Sequence, residues 1–132
     1  MPFVRISLPE SLSQETRDNI SRSVHEALMQ EFNIPANDYF QVIEALAPGQ
    51  MKFPPHYLGV SHSADIVFIQ IVAGRGRTVE QKRGLYREIA ERISRSTPIT
   101  KNNIIIVLLE NEGRENWSFG NGEIQEPTHL IS

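Results

Sequence analysis

The sequence predicts an α/β (α+β) domain in which two tandem β-α-β units build one four-stranded sheet with two helices on one face, followed by a C-terminal hairpin. Three observations predict it. First, sliding the chain against itself by 65 positions without gaps pairs Phe3 with Phe68, Ile6 with Ile71, Glu15 with Glu80, Glu26 with Glu91 and Val42 with Val107, and keeps apolar character in between. Second, each half reads strand, helix, strand. Third, 132 residues and 15.0 kDa is the size of one domain. Its repeats run over 2–46 and 67–111, with a linker at 47–64 and a hairpin and tail at 112–132.

The elements follow in order. Phe3–Leu8 is a short apolar stretch of strand length that ends at Pro9. From Ser13 to Phe32, Ile20, Val24, Leu28 and Phe32 recur every fourth residue, which puts one apolar stripe on a helix. A second strand is expected at Tyr39–Ala45. The connection from Ala45 to Ser63 holds Pro48, Pro54, Pro55, Gly49 and Gly59 and reads as an ordered linker. Asp65–Val72 repeats the first strand, and Thr78 to Ser96 repeats the helix with Leu85, Ile89 and Ile93 on its stripe. Thr78 with Gln81 at the third helical position has the spacing of a capping box. Asn103–Leu109 is the last strand of the repeat, and its unbroken apolar run from Ile104 predicts a parallel strand covered on both faces. In Gly113–Ile124, Asn121-Gly122 predicts a tight hairpin turn. Two helices on one face leave the other face of the sheet bare, which predicts an oligomer.

Composition removes several kinds of chemistry. There is no Cys, so disulfides, thiol nucleophiles and Cys-based metal sites are excluded. Thirteen Lys and Arg against sixteen Asp and Glu leave a net charge of −3, without the basic excess that nucleic acid requires. The longest apolar run, Ile104–Leu109, is far short of the roughly twenty residues of a membrane span. A soluble, cytoplasmic protein is expected. His25, His56, His62 and His129 have no partners at metal-ligand spacing, so no metal site is predicted.

Four features can carry chemistry. Pro2 follows the initiator Met, whose removal leaves a secondary amine; an ordinary α-amino group titrates near ~7.7–8.0, within reach of acid or base work at neutral pH. Gly74-Arg75-Gly76-Arg77-Thr78 sets two guanidiniums at a helix start, an arrangement suited to a carboxylate and equally to a solvated basic turn. Asp38 opens the second strand, which in a parallel pair starts beside Pro2; a carboxylate there favours the charged amine and can orient a water. It can also be an ordinary loop residue. Trp117 and Phe119 are two apart and face one side of an extended chain, as a pocket wall, a subunit contact or core.

Together these residues resemble the tautomerase superfamily, whose hallmark is an amino-terminal proline on a β-α-β framework. Phe68-Ile69-Gln70-Ile71 through Gly76-Arg77-Thr78-Val79-Glu80-Gln81 to Ile93-Ser94-Arg95-Ser96 is similar to the short oxalocrotonate tautomerase subunit, and Phe119-Gly120-Asn121-Gly122-Glu123 to its closing hairpin. Pro2, Asp38, Arg75, Arg77, Trp117 and Phe119 are most similar to the malonate semialdehyde decarboxylase branch, whose chains are fused double-length units. One departure lies within the chain: Val67 stands where a second proline would be.

The resemblance implies a homotrimer and a cofactor-independent enzyme acting on a small carboxylate-bearing oxo acid. In that reading Arg75 and Arg77 hold the carboxylate, and protonated Pro2 polarises the carbonyl as carbon dioxide leaves. Asp38 keeps Pro2 protonated and supports a hydratase side activity, while Trp117 and Phe119 exclude water. Two other readings stay open: a keto-enol tautomerase with neutral Pro2 as base, and a non-enzymatic binding or signalling protein on the same scaffold.

Overall fold

The computed structural model describes residues 1–126. In chain order they form β1 (Phe3–Pro9), α1 (Gln14–Phe32), β2 (Gln41–Leu46), β3 (His56–Tyr57), β4 (Val60–Ser61), β5 (Val67–Gly74), α2 (Val79–Ser96) and β6 (Ile104–Asn111). The main sheet has the order β2-β1-β5-β6. β1 pairs in parallel with β2, and β5 with β6, so each half is a β-α-β unit. The two units join through antiparallel pairing of β1 with β5, with Phe3 opposite Val72 and Ser7 opposite Phe68.

Local signals start and stop the helices. Ser13 caps α1 by accepting from Thr16 N–H at 3.1 Å. Asn33, in the left-handed conformation at φ 55°, ends it, and Ile34 N–H returns to the Leu28 carbonyl at 3.4 Å. Thr78 and Gln81 form the expected capping box at the start of α2. Lys101, in the short 3-10 turn before β6, pairs with Glu91 of α2 and holds that carboxyl below the ordinary carboxylate range through its hydrogen bond and charge.

The core is a single layer between helices and sheet. Val4, Ile6 and Leu8 of β1 and Val67, Ile69, Ile71 and Ala73 of β5 meet Ile20, Val24 and Leu28 of α1 and Leu85, Ile89 and Ile93 of α2, all buried. Above it Arg92 of α2 ties the helices together through Glu26 at 2.6 Å, Gln30 at 2.8 Å and Glu88 at 2.9 Å.

The structure differs from the sequence-based expectation in element bounds, in the linker, at β6 and at the C-terminal hairpin. β2 begins at Gln41 instead of Tyr39, while β5 and β6 each run two residues further, to Gly74 and Asn111, because their parallel ladder continues to those residues. The linker contains a small ribbon: β3 and β4 pair around Leu58 and Gly59, both at positive φ (49° and 81°), the geometry of a tight two-residue hairpin turn.

β6 is covered on one face only. Val107 and Leu109 are 45% and 51% exposed, so its unbroken apolar run reflects a bare sheet face instead of two helical layers. Phe3 and Val42 lie on the same bare side, beside the Arg5–Glu44 ion pair.

The C-terminal hairpin does not form among the described residues. The turn itself is made, with Asn121 and Gly122 at φ 62° and 69° and Glu123 N–H on the Gly120 carbonyl at 3.3 Å. No strand ladder follows it, because Phe119 N–H and the Gly120 carbonyl are taken by the Gln125 side chain at 2.8 and 3.1 Å. Of the expected hairpin and tail at 112–132, residues 127–132 lie outside the described residues.

Ile69 is fully buried at the centre of this layer. Ile69→Ala should cost about 2–5 kcal/mol in a urea titration at fixed protein concentration. A midpoint equal to the parent's would show that the layer is not the main stabilising element.

Candidate active site

Sheet topology determines which residues can meet. Parallel pairing of β1 and β2 places the start of the chain beside the entry to β2, where Val4 N–H donates to the Phe40 carbonyl at 2.9 Å. Pro35 to Asp38 form the turn into that strand, closed by Asp38 N–H on the Pro35 carbonyl at 3.0 Å. The Asp38 carboxylate faces the chain's own amino terminus: Met1 N lies 3.2 Å from Oδ2, and the Asp38 side chain is only 18% exposed. Pro2, the next residue of the chain, is buried. Because β5 is antiparallel to β1, its C-terminal end and the Gly74–Thr78 turn arrive at this same end of the sheet.

The two arginines of that turn are held differently. Arg75 N–H extends the ladder to the Asn111 carbonyl at 2.8 Å, and its exposed guanidinium reaches outward to Glu112, Nη2 to Oε2 at 3.0 Å. Arg77 is half-buried and its donors go to the backbone, Nη1 to the Gly74 carbonyl at 3.0 Å and Nη2 to the Phe32 carbonyl at 3.1 Å. Its guanidinium carbon lies 4.8 Å from the centroid of the Phe32 ring. Arg77 thus satisfies a carbonyl in the last turn of α1 and ties that helix to the β5–α2 turn.

Trp117 and Phe119 stack with centroids 5.2 Å apart and planes 5° apart, and Phe119 also meets Phe40 at 5.2 Å. Phe40 links this aromatic pair to the entry of β2 beside Asp38. Sequence reading passed over Phe40, although it lies within the Asn37-Asp38-Tyr39-Phe40 segment; two aromatics in a row at a strand mouth were the available signal. The Trp117 indole nitrogen is buried without a hydrogen-bond acceptor among the described residues.

The histidines lie elsewhere: His25 bonds the Ala36 carbonyl at 2.9 Å, His56 faces Ser61 at 3.1 Å and His62 faces the Pro54 carbonyl at 3.1 Å. Among the described residues no cluster of His, Asp and Glu is able to hold a metal. A cavity of about 330 Å³ opens at the opposite end of the sheet, between Pro9, Glu10, Leu46, Met51, Phe53 and Ile66. It is the repeat's counterpart of the Pro2 end, with Glu10 where the second unit has Arg75 and buried Val67 where the first has Pro2. The framework is repeated there, but the proline and the arginine are not.

A family profile described as tautomerase enzyme matches residues 38–120, and a second with the same description matches residues 2–61. The chain belongs to the tautomerase family. It is 38% identical over 125 residues to the probable tautomerase YusQ of Bacillus subtilis (strain 168), covering 95% of this chain and 98% of that one. Among solved structures it is similar to FG41 malonate semialdehyde decarboxylase inhibited by 3-bromopropiolate, at 32% identity and a TM-score of 0.88 over 98% of both chains. It is also similar to a malonate semialdehyde decarboxylase described with decarboxylase and hydratase activities, at 26% identity and a TM-score of 0.86, covering 98% of this chain and 99% of that one. A fused 4-OT protein solved as a symmetric trimer shares the fold, at 16% identity and a TM-score of 0.74 over 92% of this chain and 94% of that one. The chain is therefore a tautomerase-superfamily enzyme. No helix among the described residues is long and apolar enough to cross a membrane.

The unequal settings of the two arginines are measurable. Arg77→Ala removes two hydrogen bonds and a ring contact from a half-buried position and should cost about 1–3 kcal/mol of stability. Arg75→Ala removes one exposed ion pair and should stay within about 0.5 kcal/mol of the parent. Urea titrations of both variants test this, and equal losses would contradict it.

Proposed function

We propose that this enzyme uses the nitrogen of Pro2 to decarboxylate a small 3-oxo acid of the malonate semialdehyde type. The observation that carries the reading is the little-exposed Asp38 carboxylate held against the amino terminus at 3.2 Å, at the end of the sheet that also receives Arg75 and the Trp117–Phe119 stack. Removal of Met1 moves the ammonium one residue inward, to Pro2. The likeness to two malonate semialdehyde decarboxylase structures over nearly the whole chain supports the substrate class.

In this mechanism Arg75 takes the substrate carboxylate, with Arg77 behind it holding the turn in place and adding its charge. Prolinium Pro2 donates a hydrogen bond to the 3-oxo oxygen. The bond between the carboxylate carbon and C2 breaks, carbon dioxide leaves, and the electron pair passes into an enolate whose oxygen Pro2 stabilises. The enolate takes up one proton at C2 to give the aldehyde. Asp38 favours the charged amine and orients a water for a secondary hydratase activity. Trp117, Phe119 and Phe40 keep bulk water from the enolate.

A second reading, supported by the probable tautomerase YusQ, makes neutral Pro2 a base that shuttles a proton between carbon and oxygen. The two readings demand opposite shifts of the Pro2 amine. We also propose a homotrimer, in which the bare sheet face around Val107 and Leu109 is covered by neighbouring subunits, as the trimeric fold relative suggests.

With Met1 removal verified by intact mass, Pro2→Ala should lose at least about a hundredfold in decarboxylation of malonate semialdehyde. Titration of ¹⁵N-labelled Pro2 should place its pKa above the ordinary α-amino range of about 7.7–8.0, and Asp38→Asn should lower it. A pKa below that range would turn the assignment to the tautomerase, and full activity of Pro2→Ala would end both. Light scattering should give three times the 15.0 kDa chain mass.

A further inference from the structure

We infer that Glu112 is a specificity-determining residue: it pairs with Arg75, must yield to the ligand's carboxylate, and by its charge favours ligands with one carboxylate over those with two. The inference rests on the reading that Arg75 receives a carboxylate. Its starting point is the Arg75–Glu112 ion pair at 3.0 Å, with side chains 70% and 51% exposed.

That pair follows from the backbone. The parallel register of β5 and β6 ends with Gly74 opposite Asn111, and Arg75 N–H then bonds the Asn111 carbonyl at 2.8 Å, so Arg75 and Glu112 leave their strands side by side. The turn after Glu112 is held by other groups. Glu112 N–H donates to Asn116 Oδ1 at 2.8 Å, Gly113 N–H to Asn111 Oδ1 at 3.0 Å, and Gly113 takes the positive φ of 102°. The Glu112 side chain supports none of this and is free to let go of Arg75. The same turn leads into Trp117, so the segment that carries Glu112 also carries the aromatic pair.

Charge and magnitude point the same way. The terminal ammonium pairs with Asp38 and Arg75 with Glu112, while Arg77 on the same turn gives its donors to backbone carbonyls; these five groups sum to one net positive charge, enough to balance one ligand carboxylate. An ion pair between exposed partners contributes little, so a ligand that makes a bidentate contact to Arg75 displaces Glu112 at small cost. A second ligand carboxylate at the same mouth meets the released Glu112 as a like charge and binds less well.

The sole Trp of the chain gives a readout independent of turnover. Propionate and malonate are titrated against the parent, Glu112→Gln and Arg75→Ala, following Trp117 fluorescence at low ionic strength. Glu112→Gln should tighten propionate about threefold and malonate about tenfold. Arg75→Ala should weaken both, and Glu112→Gln added to it should restore neither. Equal affinities in the parent and Glu112→Gln, the same gain for both acids, or no binding of either acid to any of the proteins would overturn the inference. If the affinities shift as expected while malonate semialdehyde is not turned over, the proposed reaction falls and the role of Glu112 stands.

Discussion

The antiparallel pairing of β1 with β5 is the constraint on which the rest of the molecule depends. Each β-α-β unit alone would bury one helix on two strands, too little apolar surface for a stable domain. Joined through β1 and β5, the units share one layer in which Val4, Ile6 and Leu8 continue directly into Ile71, Ile69 and Val67 beneath both helices. The same pairing reverses the second unit relative to the first. The beginning of β1 therefore meets the end of β5, and the terminal amine shares a corner with the guanidiniums of Arg75 and Arg77.

That geometry explains how two copies of one framework came to differ. The repeat carries two equivalent ends, and each end takes residues from both units. At one end the strand start provides Pro2 and the facing turn provides arginines; at the other the strand start is Val67 and the turn carries Glu10. The proposed carboxylate substrate would be drawn to the cationic end and repelled by Glu10, so the proposed chemistry belongs to one end while the other needs only to pack. Divergence of a few side chains suffices because the sheet register that positions them is held by buried apolar residues elsewhere.

The polar groups around the terminal amine divide into those that hold the corner and those that can meet a ligand. Arg77 spends its donors on the Gly74 and Phe32 carbonyls and rests on the Phe32 ring, fixing α1 against the β5–α2 turn. Arg75 is joined to the sheet only through its backbone and leaves its guanidinium in solvent against Glu112. A neighbour fixed by backbone contacts beside an exposed, charged donor is an arrangement that lets a site place one contact accurately and adjust the other.

By itself the sequence determined both helical stripes, the Thr78 capping box, the turn at Asn121-Gly122 and the duplicated framework. The stripes, the cap and the turn are legible because they rest on residues a few positions apart, and the duplication because the two halves can be compared directly. The tertiary structure alone decided that Asn121-Gly122 turns without a ladder, since the Gln125 side chain takes the backbone groups a partner strand would need. It alone decided that Phe40 completes the aromatic wall, that Arg77 serves the Phe32 carbonyl and that Glu112 meets Arg75. The last three of those contacts join residues tens of positions apart, and only the tertiary fold, through the register of neighbouring strands and the packing of α1 against the β5–α2 turn, brings them within a few ångströms.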